Sequence, residues 1–113
     1  MTNLEFIKRR STHYLYIVPS GQPHMSFEET YREAIRNGEF DTGYHFFIDN
    51  MGVITEDRNV ESIAENNWEN YNCAVYVLIE AESKPNDCQK MAINELQTYL
   101  EGQYGTLEVI QDK

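Results

Sequence analysis

Apolar and aromatic residues fall along this chain in two periods, and the switches between them mark its elements. Residues 13–18 are rich in aromatic and β-branched side chains, and the run stops at Pro19-Ser20-Gly21. That is the pattern of a strand opening into a loop. Ser26-Phe27-Glu28-Glu29 matches a capping box, in which the serine accepts from the third helical amide while Glu29 reaches back. Phe27, Tyr31, Ala34 and Ile35 then recur at helical spacing until Gly38 supplies a left-handed stop. A helix with one face packed on a sheet is predicted. Residues 44–48, a turn at Asp49-Asn50-Met51-Gly52, and residues 53–55 predict a β-hairpin with Gly52 at positive φ. Residues 73–80 are the most apolar stretch, as expected of a strand buried on both faces. From about Asn86 to Glu101, the positions Cys88, Met91, Ala92, Leu96, Tyr99 and Leu100 mark one helical stripe, which Gly102 ends. Residues 107–110 predict a last short strand. Strand, helix, hairpin, central strand, helix, strand is the order of an α/β fold, a mixed central β-sheet with packed helices.

The length of 113 residues suits one domain, and 41% hydrophobic residues with only 6 Gly and 3 Pro exclude collagen-like and wholly disordered classes. A formal charge of −10 opposes binding to phosphate backbones and anionic lipid, so no direct nucleic-acid or membrane partner is expected. No apolar run approaches the roughly 20 residues of a membrane helix. Lys8, Arg9 and Arg10 precede the apolar residues 14–18 in the manner of a signal peptide, but that run is short and ends at Pro19 without a small-residue cleavage site. A cytoplasmic protein is expected. Cys73 and Cys88 form no C-x-x-C pair, which removes a zinc knuckle or thioredoxin-like site and predicts two small buried hydrophobes.

Charge is unevenly spread. Three basic side chains against Glu5 leave +2 over residues 1–10 and therefore −12 over residues 11–113. A basic N-terminal tail, residues 1–12, thus precedes a single acidic domain, residues 13–113.

Several blocks together resemble a known family. Phe6-Ile7-Lys8-Arg9-Arg10-Ser11-Thr12, Leu15-Tyr16-Ile17-Val18 before a loop, Phe40-Asp41-Thr42-Gly43-Tyr44-His45-Phe46-Phe47-Ile48, and Gly52-Val53-Ile54 with Arg58 are similar to the small phage lysozymes of the T-odd coliphages. Those are zinc N-acetylmuramoyl-L-alanine amidases that share a fold with peptidoglycan recognition proteins, and the similarity runs from Phe6 to about Tyr104. The resemblance implies an amidase-like fold and a zinc held by two histidines and a cysteine, with a water whose pKa the metal brings down to about 7. The first family histidine stands where the first strand meets its loop, here Pro19. The second lies near the end of the last strand, here Gln111 or Asp112, and the cysteine falls beyond Lys113. A degenerate, C-terminally truncated member without zinc or other cofactor, a pseudo-enzyme, is therefore expected.

Tyr44 is the only positional match to a catalytic residue, since the family tyrosine helps polarise the substrate carbonyl; the alternative is a strand residue kept for packing. His45 reads as a satisfied, partly buried histidine. A rebuilt metal site from His13, His24 and His45 with Cys73 or Cys88 lacks any short ligand spacing. No G-x-S-x-G elbow or comparable nucleophile context is present. The polar segment around Trp68 and Tyr71 reads either as an interface anchor or as a loop whose tryptophan folds onto the core. The acidic body is either a solvated surface or a mimic of phosphate. Since the family lysozymes also bind and inhibit the phage RNA polymerase, the resemblance implies a phage protein that inhibits a partner, RNA polymerase or a host nucleic-acid or defence enzyme, through Lys8, Arg9, Arg10, Tyr44, Trp68 and Tyr71. Peptidoglycan binding without cleavage, or an amidase with a rebuilt metal site, are the alternatives.

Overall fold

Six consecutive apolar residues make β4 (Ala74–Ile79), and every one of them is buried. A strand apolar on both faces has its lowest free energy in the middle of a sheet with cover on both sides. The computed structural model, which describes residues 7–22, 24–39, 41–65 and 67–111, puts it there. The five strands run in the order β3-β2-β4-β1-β5, with β1 (Tyr14–Pro19), β2 (Phe46–Ile48), β3 (Ile54–Glu56) and β5 (Glu108–Gln111). β1 is parallel to both β4 and β5, β2 is parallel to β4, and β2 and β3 form the antiparallel hairpin. The α/β fold with a mixed sheet is as the sequence predicts.

α1 (Phe27–Arg36) links β1 to β2, and α2 (Asp87–Tyr104) links β4 to β5. The two crossovers step across the sheet in opposite directions. Right-handed crossovers then place the helices on opposite faces, and packing agrees. On the α2 side Leu15, Ile17, Phe46, Ile48, Val75, Val77 and Ile79 meet Ala92, Ile93, Leu96 and Leu100 in one apolar cluster. On the α1 side Phe27 packs at a tilt on the buried Phe47, ring centroids 5.6 Å apart.

Both helices start on capping boxes. Ser26 and Glu29 form the predicted one. In the second, Asn86 Oδ1 accepts from the Gln89 amide at 2.8 Å, and Gln89 Oε1 accepts from the Asn86 amide at 3.0 Å. Gln89 is fully buried, and its Nε2 donates to the Asp49 and Glu80 carbonyls at 3.1 and 3.0 Å. The start of α2 is thereby tied to the carboxyl ends of β2 and β4. Gly52, at φ +88, docks against the same turn so closely that a Cβ would come within 2.8 Å of the Cys88 carbonyl oxygen.

Several expectations change. The buried stripe of α2 is Gln89, Ala92, Ile93, Leu96 and Leu100, while Met91, Tyr99 and Cys88 are exposed. The polar Gln89 takes an inward place because it satisfies strand-end carbonyls, and that sets the phase of the helix. Cys88 is thus not a buried hydrophobe, and Cys73 is half-buried. Gly102 does not end the helix, which runs on to Tyr104 with Gly105 as its cap. α1 buries no residue fully, since beyond Phe27 its apolar positions Tyr31 and Ile35 stay 37% and 45% exposed. Tyr44 precedes β2 instead of lying in it. Among the described residues no helix is long and apolar enough to cross a membrane.

Candidate functional site

The sheet face opposite α2 is aromatic. Alternation along β1 turns Tyr14, Tyr16 and Val18 to this side, where they join Tyr76 of β4 and Ile110 of β5. Tyr16 and Tyr76 stack with centroids 4.5 Å apart and planes 3° from parallel. Trp68 packs on Tyr76 at 4.8 Å, and Tyr44 packs on Trp68 at 4.7 Å. Tyr71 borders the same cluster. Such ring contacts contribute about 0.5–1.5 kcal/mol each beyond their buried area.

The phenols are pinned by the loop that carries the tryptophan. Tyr76 Oη donates to the Glu69 carbonyl, and Asn70 Nδ2 donates to Tyr16 Oη at 2.8 Å. Burial raises the pKa of both tyrosines above the ordinary range. Both therefore stay protonated near neutral pH and serve as hydrogen-bonding walls, with no role as bases.

Four charged residues, Arg58, Asp41, Glu65 and Asp57, hold this wall in place. Arg58 grips Asp41 through Nε and Nη2 at 3.2 and 3.0 Å, reaches Glu65 Oε2 at 2.7 Å, and donates to the Ile63 carbonyl at 3.2 Å. Burial acts to lower its pKa, but the Asp41 and Glu65 carboxylates outweigh it and raise the value. Asp57 Oδ2 accepts from the amide and hydroxyl of Thr42 at 2.9 and 2.6 Å. The segment before Tyr44 and the segment before Trp68 are thereby locked together. Gly43 sits between them at φ +89, and a Cβ there would lie 3.0 Å from the indole. The Gly-Tyr-His-Phe block with its downstream arginine is thus a device for seating Tyr44 and Trp68 side by side.

His45 is satisfied, as expected, but fully buried where partial burial was expected. Its Nδ1 accepts from the Tyr76 amide at 3.0 Å, which leaves Nε2–H to donate to the Ser62 carbonyl at 2.9 Å. Burial lowers its pKa to about 4, so the ring is neutral. His13 and His24 are exposed. Among the described residues no group of three or more His, Cys, Asp and Glu side chains could hold a metal ion.

The basic triplet does not act as a unit. Lys8 is exposed near Glu61 at 3.8 Å, and Arg10 is exposed, its amide bonded to Asn72 Oδ1. Arg9 turns inward, only 7% exposed, donating to Thr12 Oγ1 and to the Val60 and Ser62 carbonyls, with its guanidinium 5.1 Å from the Tyr104 ring centroid. Burial lowers its pKa. Residues 7–9 also pair with residues 61–63 through Arg9 N–H to Glu61 O at 2.7 Å and Ile63 N–H to Ile7 O at 2.9 Å. The structure therefore brings Tyr44, Trp68 and Tyr71 together on one face and leaves Arg9 unavailable as a surface charge. Pattern reading missed Tyr16 and Tyr76, whose signal was the alternation of tyrosines along two strands, and Asp41 and Asp57, which nothing in their spacing distinguishes.

A scan against protein-family models finds no match, nor does a search of curated proteins by sequence. Solved structures give a consistent likeness. The whole chain superposes on 80% of the peptidoglycan recognition protein PGRP-Hd from Alvinella pompejana, with a TM-score of 0.76 at 15% identity. The N-acetylmuramoyl-L-alanine amidase LysC from Clostridium intestinale matches 97% of this chain over 78% of its own, with a TM-score of 0.75 at 16% identity. Drosophila PGRP-LB matches 96% over 73%, at 0.77 and 15%. The fold is the one shared by peptidoglycan recognition proteins and these amidases. Identities this low establish the fold alone.

Proposed function

We propose that this chain is an amidase-fold binding protein that recognises peptidoglycan-type fragments on its aromatic face without hydrolysing them. The carboxyl end of β1 carries the non-hydrolytic part. The family resemblance puts a zinc-binding histidine there, and the residues present do not fit that ion. Pro19 offers no donor atom, and by strand alternation it points to the α2 side. Val18, which shares the face of Tyr44, has no donor either. Gln111, at the end of β5, is an exposed carboxamide, a poor zinc ligand beside imidazole, carboxylate or thiolate; Asp112 lies outside the described residues.

The binding part rests on Tyr44, Trp68 and Tyr71, which form a half-buried wall whose partners fix its geometry before any ligand arrives. Pre-formed aromatic surfaces bind amphipathic ligands at little entropic cost. One structural neighbour, a variant of Drosophila PGRP-LB, is in complex with tracheal cytotoxin, which supports this class of ligand over others. Titration calorimetry with a soluble muramyl peptide tests the reading. Saturable binding, lost in Trp68→Ala and accompanied by no release of L-alanine-linked peptide, is expected. Absence of binding to muramyl peptides overturns the ligand, and about one zinc per chain by elemental analysis, removed together with amidase activity by a chelator, overturns the non-hydrolytic part.

A second reading, a phage-encoded inhibitor of RNA polymerase or of a host nucleic-acid or defence enzyme, draws on the −10 charge and on the exposed Tyr31 and Ile35 of α1. The inward turn of Arg9 reduces the basic segment available to such a partner to Lys8 and Arg10.

A further inference from the structure

α1 has a second face. At about 100° per residue, Glu29, Arg32, Glu33 and Arg36 project from the side of the helix opposite Phe27, Tyr31 and Ile35. Phe27 is the residue that meets the sheet, so the charged four look away from it. The loop between β1 and α1 runs beside them. Its residues Gly21, Gln22, His24 and Met25 close an open cleft of about 710 Å³ against that face, a volume within the range of small-molecule sites.

The charges in this cleft are even in number, Arg32 and Arg36 against Glu29 and Glu33, but they are not paired with one another. Glu29 is committed, because its Oε1 accepts from the Ser26 amide at 3.0 Å in the capping box. Arg32 and Arg36 each have an acidic residue three or four positions earlier, the spacing at which helical ion pairs form. Yet the ion pairs among the described residues involve Lys8 and Arg58 only. Two arginines one turn apart, neither within ion-pair distance of Glu29 or Glu33, therefore line an open cleft in a chain of net charge −10.

We propose that this cleft binds a small ligand carrying an oxyanion group, a carboxylate or a phosphate, between Arg32 and Arg36. Side chains four apart on a helix start about 5–6 Å from one another, which lets two planar forks converge on one oxyanion with paired N–H donors. His24 and Gln22 line the same cleft from the loop side and add polar groups to it. The site lies on the side of α1 turned away from Tyr44 and Trp68, so it is independent of the peptidoglycan reading.

Citrate and inorganic pyrophosphate are suitable probes, followed by amide and arginine Nε–Hε NMR shifts of the full chain. Saturable shifts confined to Gln22, His24, Arg32 and Arg36 are expected, with at least tenfold weaker binding in Arg32→Gln/Arg36→Gln at an unchanged thermal midpoint. Glu33→Gln, which keeps both arginines, should bind several-fold tighter and decides the matter even if the double variant unfolds. Tighter citrate assigns a carboxylate ligand, and tighter pyrophosphate assigns a phosphorylated one. Equal affinity in the arginine double variant, or shifts that spread without saturation to Lys8 and Arg10, overturns the proposal.

Discussion

The two faces of the sheet are built from opposite materials. On one, α2 lays five buried residues on aliphatic strand positions, and the interface is closed. On the other, α1 touches the sheet through Phe27, and the remaining cover is a loop of Trp68, Tyr71 and Asn70 pinned to tyrosine hydroxyls. Aliphatic packing is non-directional and scales with area. The aromatic face is directional, since the Tyr16 and Tyr76 hydroxyls are hydrogen-bonded and the Tyr16, Tyr44, Trp68 and Tyr76 rings set one another's orientation. One face stabilises the fold, and the other holds a shaped surface at a modest cost in stability.

The sharpest way to break that comparison is a cavity on each side. Leu100, fully buried against the strands, should cost about 3–4 kcal/mol when cut to alanine, as deep leucines do. Urea denaturation measures it. A loss below about 1 kcal/mol would mean that the α2 face is not the main store of stability.

Acid should open the molecule from His45. Its folded pKa is about 4 and its unfolded value lies near 6.5, so the unfolded chain takes up the proton first. Stability is therefore complete above about pH 6.5 and falls as pH drops toward 4, by about 3 kcal/mol over the full window. Denaturation midpoints taken at intervals through that range should show the slope in the parent protein and lose it in His45→Gln, whatever the overall stability of the variant.

Gly43→Ala sharpens the comparison from the aromatic side. The substitution adds a Cβ 3.0 Å from the indole at a φ of +89, for an expected loss of about 1–2 kcal/mol. Displacement of Trp68 should shift its fluorescence maximum to longer wavelength. An unchanged spectrum would show that the tryptophan does not rest on Gly43.

The difference between the faces also explains what could be read without coordinates. β4, the hairpin with Gly52 and the capping box of Ser26 follow from local chemistry, which does not depend on distant residues. α2 was mis-phased because Gln89 counts as polar in any periodicity, whereas its burial depends on carbonyls 9 and 40 positions away. Arg9 reads as part of a basic tail for the same reason. Its acceptors are the carbonyls of Val60 and Ser62, some 50 residues further on, and backbone acceptors leave no trace in sequence. Tyr44 and Trp68 were each visible, but their contact was not, since it depends on Arg58 joining two loops.

The smallest effect is expected on the outer apolar stripe of α1. Tyr31 and Ile35 are already 37% and 45% exposed, so truncation to alanine removes only part of a side chain's burial. Alanine is also the better helix former, by a few tenths of a kcal/mol at each position. These contributions oppose each other, and Tyr31→Ala/Ile35→Ala should leave stability within about 0.5 kcal/mol of the parent, well below the loss at Leu100. That near-neutrality makes the double variant a clean probe of function. If the stripe is where a protein partner docks, inhibition of that partner should fall while the melting curve stays in place. Unaltered binding of a muramyl peptide by the same variant, together with its loss in Trp68→Ala, would assign recognition to the aromatic face and leave the stripe as the exposed flank of a lightly packed helix.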